Sequence, residues 1–190
     1  QLCVSIERAY VPQEMKARFE TILKQKVSSL KLGTSNDFSI DIGTLTGPNQ
    51  LKRVGDFVQD AVSKGAKVIA GGHQLPELGP YFYAPTVLTD VNDKMQLHEH
   101  EVFGPLVSVY GYKTIDEAIT LANQTTEGLN ASVVGKTSEA KKVASKIMAG
   151  TVNINEGFRA TFASLDTPMG GMKNSGHGRR NGVEGLRKYT

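Results

Sequence analysis

The sequence is poor in cysteine. Cys3 is the only one in 190 residues, so no internal disulfide can form, and no cage of two to four thiolates can hold a metal. Such usage fits a reducing compartment, and a cytoplasmic setting is expected. Long apolar runs are also missing. None approaches the roughly 20 residues a membrane helix needs, which argues against a membrane role. Nucleotide signatures are absent too: Gly176-His177-Gly178-Arg179-Arg180-Asn181 starts like G-x-G-x-x-G but lacks the third glycine and follows no strand, and there is no P-loop. Any phosphate-gripping element must then lie elsewhere. The opening Gln1-Leu2-Cys3-Val4-Ser5-Ile6 has neither an initiator Met nor the basic-then-apolar layout of a secretory signal. The expectation is the later part of a longer protein.

What is present is a globular composition. Hydrophobic residues make up 39% and charged residues 22%, a balance that excludes wholesale disorder, and the length suits one domain or slightly more. The net charge of +3 is uneven, because residues 171–190 carry Lys173, Arg179, Arg180, Arg187 and Lys188 against Glu184, or +4, leaving −1 for residues 1–170. A nucleic-acid footprint calls for interleaved aromatics. Only Tyr189 lies there, among five glycines, so the tail reads as a solvated or subunit-contacting face and no nucleic-acid partner is expected.

Helical spacing appears in Met15, Phe19, Ile22, Leu23, Val27 and Leu30 after Pro12, and in Leu51, Val54, Val58, Ala61 and Val62 between Pro48 and Gly65. Thr114-Ile115-Asp116-Glu117 has capping-box spacing and predicts a helix burying Ile115, Ala118, Ile119 and Ala122. A fourth helix runs from a Ser138 cap to Gly150, and a short one spans Val183–Leu186. Between them lie β-branched runs at Ser5–Val11, Val68–Ala70, Thr86–Leu88, Leu106–Tyr110, Ala131–Val134 and Thr151–Ile154. Strands alternating with helices predict an α/β fold: a doubly wound, largely parallel sheet with helices on both faces.

Few residues could carry chemistry. His98-Glu99-His100-Glu101 places two imidazoles on one face of an extended segment, but two histidines without a third ligand make a poor zinc site. No metal is expected, and the segment reads as a polar loop. His73 and His177 are isolated. Cys3 is the remaining candidate: a free cysteine is either a small buried hydrophobe or, beside a cation such as Arg8, a nucleophilic thiolate.

Four segments carry a resemblance. Gln1-Leu2-Cys3 with Arg8, Glu101-Val102-Phe103-Gly104-Pro105, Gly150-Thr151-Val152-Asn153-Ile154-Asn155 and Pro168-Met169-Gly170-Gly171-Met172-Lys173-Asn174-Ser175-Gly176 resemble, in order and spacing, the aldehyde dehydrogenase motifs G-Q-x-C, E-x-F-G-P, G-T-x-x-x-N and P-F-G-G-x-K-x-S-G. The last has Met where Phe is usual. Ser5-Ile6-Glu7-Arg8, Gly79-Pro80-Tyr81-Phe82-Tyr83 and Asn153-Ile154-Asn155-Glu156-Gly157 look most like the NADP-using succinate-semialdehyde dehydrogenases of actinobacteria.

The resemblance implies a nucleophilic Cys3, a Glu101 that binds the nicotinamide-ribose hydroxyls, and a Phe103 that packs beside the nicotinamide of NADP or NAD. It implies a substrate-tunnel loop in which Phe158 and Phe162 flank the alkyl part of a small aldehyde while Arg159 or Ser164 meets a distal carboxylate. It also implies a catalytic domain over residues 1–160, a tunnel loop and tail over 161–190, and a homodimer or homotetramer. The family's dinucleotide domain, general-base Glu and second oxyanion donor precede the nucleophile, so the 190-residue chain alone is expected to fold but to be inactive. The competing reading is an oligomerisation or binding module with a structural cysteine; a cysteine hydrolase would need a histidine base that no spacing supplies.

Overall fold

The computed structural model describes residues 1–189. The chain divides into two compact units, Gln1 with Glu7–Lys113 and Leu2–Ile6 with the residues from Thr114 onward. The division falls at 113/114, and residues 155–189 belong to the second unit.

The first unit comprises β1 (Arg8–Pro12), α1 (Gln13–Ser28), α2 (Pro48–Ser63), β2 (Lys67–Ala70), β3 (Thr86–Thr89), α3 (Gln96–Glu99) and β4 (Leu106–Tyr112). Its sheet has the order β1-β4-β3-β2, with β1 and β3 both parallel to β4 and β2 antiparallel at the edge. β3 is buried along its whole length, which explains its unbroken apolar centre of Val87 and Leu88. Its two threonines are satisfied inside: Thr86 Oγ1 donates to Ala84 O at 2.7 Å and accepts from Gly72 N at 2.9 Å, and Thr89 bonds Lys16 Nζ and Glu20.

α2 supplies the main hydrophobic face. Pro48 occupies its first turn, where no amide donor is needed, and Leu51, Val54, Phe57, Val58 and Ala61 are buried. Each of the four larger side chains contributes about 1.5–3 kcal/mol of apolar transfer. Val62, expected on this face, is instead exposed, and Phe57 is buried on the face's other edge. α1 departs further from its pattern. Leu23 and Val27 pack on Val11, Val87 and Val109, but Met15, Phe19 and Ile22 are exposed and no residue of the helix is fully buried. Only one edge of its apolar stripe is therefore covered, at Leu23 and Val27.

The second unit comprises α4 (Ile115–Asn123), β5 (Glu127–Gly128), β6 (Asn130–Val133), α5 (Thr137–Ala144), β7 (Thr151–Ile154), α6 (Arg159–Ala163), β8 (Met172–Lys173) and α7 (Gly182–Arg187). β6 and β7 pair in parallel, β5 and β8 antiparallel. Thr114 caps α4 as predicted, its hydroxyl accepting from Glu117 N at 3.2 Å. Of the face expected there, only Ile119 is buried and Ile115 is half-exposed. α5 starts one residue before the expected Ser138 cap and stops at Ala144, well short of Gly150. No helix among the described residues is long and apolar enough to cross a membrane.

Candidate functional site

Cys3 is exposed. The expected strand from Ser5 begins only at Arg8, and the segment before it forms a turn in which Ser5 N donates to Leu2 O at 2.9 Å. Cys3 and Val4 are its two central residues. Val4 is 1% exposed and serves as an apolar anchor, while the thiol beside it faces outward. The Val4 carbonyl accepts from Asn130 Nδ2 at 3.3 Å. Sequence separation of 126 residues hid this partner; its only signal was an amide side chain opening an otherwise small and apolar strand.

Glu101 and Phe103 belong to the first unit. Their segment is pinned by backbone bonds to distant side chains. The Glu7 carboxylate accepts from Val102 N at 2.9 Å and Phe103 N at 2.8 Å; Gln50 Nε2 donates to the carbonyls of both residues at 2.9 Å, and Arg53 donates to the Glu101 carbonyl at 2.5 Å. Phe103 sits at φ 59°, a region bulky side chains avoid, and these bonds hold it there. Gly104 follows against α2, where an added Cβ would overlap a Val54 methyl. The E-x-F-G-P pattern thus has a physical basis in the fold: a turned backbone at Phe103 and a close approach at Gly104. Glu101 itself is exposed. Arg8, considered as a cation for the thiolate, donates through Nη1 to His98 O at 2.9 Å.

Phe158, Arg159, Phe162 and Ser164 lie in the second unit with Cys3. α6 sets the two aromatic rings edge to face, with centroids 6.1 Å apart at 88°. Phe162 is half-exposed. The guanidinium of Arg159 is 3.4 Å from Glu156, and this pairing, with the Gly157 amide, holds the Glu156 carboxyl below its ordinary range. The face combines an aromatic wall with a solvent-accessible cation. Beneath it, Thr161 is buried and bonds Asn153 and Asn130.

The glycine-rich motif is structural where it can be read. Lys173 Nζ donates to Asn123 O at 2.7 Å and Thr125 O at 2.8 Å, tying down the end of α4. Ser175 Oγ accepts from Gly128 N at 2.9 Å and donates to Glu127 at 2.8 Å, fastening β8 to β5. Gly150 lies against the Gly170 carbonyl so closely that a Cβ would overlap it, which links the third and fourth motifs through backbone contact.

The segment His98-Glu99-His100-Glu101, expected as a loop, contains one helical turn instead. α3 buries Leu97 and sets the His98 ring 5.9 Å from Tyr110, edge to face. Burial pushes the Tyr110 hydroxyl up to about 12. No three His, Cys, Asp or Glu side chains are grouped to hold a metal among the described residues. A shallow depression of about 620 Å³ involving Asp166, Arg180, Asn181, Leu186 and Tyr189 contains none of the expected site residues.

Comparison with known proteins gives the family. The aldehyde dehydrogenase family model matches residues 1–190. A Mycobacterium ulcerans protein provisionally named succinate-semialdehyde dehydrogenase (NADP+) 2 is 53% identical over the whole chain, and a provisionally named succinate-semialdehyde dehydrogenase (NADP+) of Mycolicibacterium smegmatis is 48% identical. The chain spans 37% of the length of each of these relatives. Among solved structures, a Mycobacterium tuberculosis aldehyde dehydrogenase complexed with NAD+ superposes with a TM-score of 0.92 at 33% identity, over 100% of this chain and 39% of that one. An apo betaine aldehyde dehydrogenase mutant of Staphylococcus aureus, carrying a cysteine modified by β-mercaptoethanol, gives 0.92 at 35% identity over 100% and 38%. The chain belongs to the aldehyde dehydrogenase family.

Proposed function

We propose that this chain is the nucleophile-bearing part of an NADP- or NAD-dependent aldehyde dehydrogenase whose substrate is succinate semialdehyde. The observation that carries the reading is an exposed thiol held on a hydrogen-bonded turn by a buried neighbour, in a chain that matches the family throughout. A fixed nucleophile lowers the entropic cost of attack. The names of the relatives support the substrate and NADP, while NAD+ is present in the solved neighbour.

The Cys3 thiolate adds to the aldehyde carbon, forming a C–S bond and moving the carbonyl electrons onto oxygen; the Cys3 backbone amide donates to that oxygen. The nicotinamide cofactor, when bound, supplies the acceptor for the hydride that leaves this carbon. The acyl group then remains on Cys3 as a thioester. Water attacks it, the C–S bond breaks, and carboxylate and free thiol result. Net oxidation of the aldehyde consumes one water and releases a hydride equivalent and two protons.

The residues present fit such a cofactor in part. The exposed Glu101 carboxylate can accept from a ribose diol, and the pinned Phe103 ring can shield the hydride path from water. Phe158 and Phe162 would line the alkyl chain, and Arg159, by exchanging Glu156 for substrate, would meet the distal carboxylate together with Ser164. The principal grip on the dinucleotide and the general base lie outside these residues, so the 190-residue chain alone is inactive. Subunit association as a homodimer or homotetramer and a cytoplasmic setting belong to the same reading.

The test is NADP reduction with succinate semialdehyde. The enzyme carrying this chain is expected to turn over and its Cys3→Ala form is not, while the chain alone shows no turnover above its own Cys3→Ala control. Undiminished turnover in the Cys3→Ala enzyme would remove Cys3 as nucleophile.

A further inference from the structure

We infer that Asn130, Asn153 and Thr161 are positioning residues that hold the nucleophile turn and couple it to the aromatic loop of α6; the catalytic sense of this rests on the reading of Cys3 as nucleophile. The argument begins at Val4, which is 1% exposed. A carbonyl carried by so buried a residue needs a partner. Asn130 supplies it through Nδ2 at 3.3 Å.

An asparagine can present either its donor or its acceptor, and only the donor suits a carbonyl. The other two residues decide which one faces Val4. Asn153 Nδ2 donates to Asn130 Oδ1 at 2.9 Å, and the Thr161 hydroxyl lies 3.4 Å from the same oxygen. The Asn153 donor keeps Oδ1 turned away from Val4 and leaves Nδ2 turned toward it, and the single Thr161 hydroxyl proton, shared between the two asparagine oxygens, supports the same orientation. Thr161 is in turn tied to Asn153, accepting from Nδ2 at 3.2 Å and reaching Oδ1 at 3.2 Å. Asn153 and Thr161 are buried, so these bonds act where water does not compete.

The network also has a direction in the chain. Asn130 opens β6, Asn153 lies on the neighbouring β7, and Thr161 sits in α6 between Phe158 and Phe162. Two parallel strands therefore carry the polar link from the Leu2–Ser5 turn to the helix that bears the aromatic pair. A purely apolar layer would fill the same space without specifying which way the turn faces. Movement of α6 shifts the Thr161 hydroxyl and loosens the orientation of Asn130, and with it the turn.

The test uses hydrogen exchange on this chain. Asn130→Asp keeps the shape but replaces the donor by an acceptor, and Thr161→Val removes the hydroxyl without changing the volume. The Ser5 amide, which closes the turn, is expected to exchange about threefold to tenfold faster in both, the range for one neutral hydrogen bond, while the amides of Ala131–Val133 stay within about twofold. Thr161→Ser, which restores the hydroxyl, is expected to return the Ser5 rate to that of the parent. An unchanged Ser5 rate in Asn130→Asp, an equal acceleration throughout β6, or failure of Thr161→Ser to restore the rate would each overturn the inference. In the enzyme carrying the chain, Thr161→Val is expected to lower kcat with KM for the aldehyde unmoved, and Thr161→Ser to retain it. Exchange requires no aldehyde, so it decides the inference independently of whether Cys3 proves to be the nucleophile.

Discussion

Removing the Glu7 carboxylate tests how the Glu101–Pro105 segment is built. Glu7 accepts from Val102 N and Phe103 N at 2.9 and 2.8 Å, and bonds to a charged acceptor are each worth about 1.5–3 kcal/mol. The site is only partly buried, which favours the lower figure, so Glu7→Ala should cost about 3 kcal/mol. Part of that is recovered if Phe103 relaxes from its positive φ, a conformation that costs on the order of 1 kcal/mol. Glu7→Gln keeps one accepting oxygen and should fall about halfway. Urea unfolding followed by far-UV circular dichroism reads the effect: with a slope of about 2 kcal/mol/M, a loss of 3 kcal/mol lowers the midpoint by about 1.5 M. Exchange at the Val102 and Phe103 amides should rise with it. A Glu7→Ala midpoint within about 0.2 M of the parent would refute the claim that this carboxylate holds the segment.

Further substitutions probe each unit separately. Gly150→Ala pushes a methyl into the Gly170 carbonyl and should destabilise by about 3 kcal/mol, whereas Gly135→Ala, with nothing nearby, should be almost neutral; equal melting temperatures for the two would contradict the close approach. In the first unit, Asp60 pairs with Lys64 at 2.5 Å and accepts from Gln96 N at 2.9 Å. The Lys64 bond first, then the Gln96 amide, hold its carboxyl below the ordinary 3.8. A depressed folded-state value stabilises the fold above the unfolded value and loses that contribution as pH falls through the folded one. Stability should therefore drop below pH 3.8 more steeply in the parent than in Asp60→Asn, as urea midpoints at about pH 5 and pH 3 will show; parallel losses would rule out Asp60 as a contributor.

Legibility in the sequence followed the range of the interactions. β3, β4, β6 and β7 were readable from runs of β-branched residues, and the start of α4 from a cap that spans three residues. α1 is legible as a helix, but its apolar stripe does not say how much of it is covered: only the edge with Leu23 and Val27 packs, and that depends on β1, β3 and β4, not on the helix. The same holds for α2, where Phe57 and Val62 lie at opposite edges of the apolar face and packing covers only Phe57.

The candidate site divides in the same way. Cys3, Glu101 and Phe103 are candidates through the resemblance of short motifs to those of a family. Glycine at 104 and 150 was visible as letters, but its reason, a close approach to Val54 and to the Gly170 backbone, is tertiary. Nothing local announced that Glu7 holds residues 102 and 103, or that Asn130 holds the carbonyl next to the thiol. Those bonds join positions 95, 96 and 126 residues apart. A side chain's chemistry is written in the sequence; its partner is chosen only when folding brings distant backbone groups into a buried place where each must be satisfied.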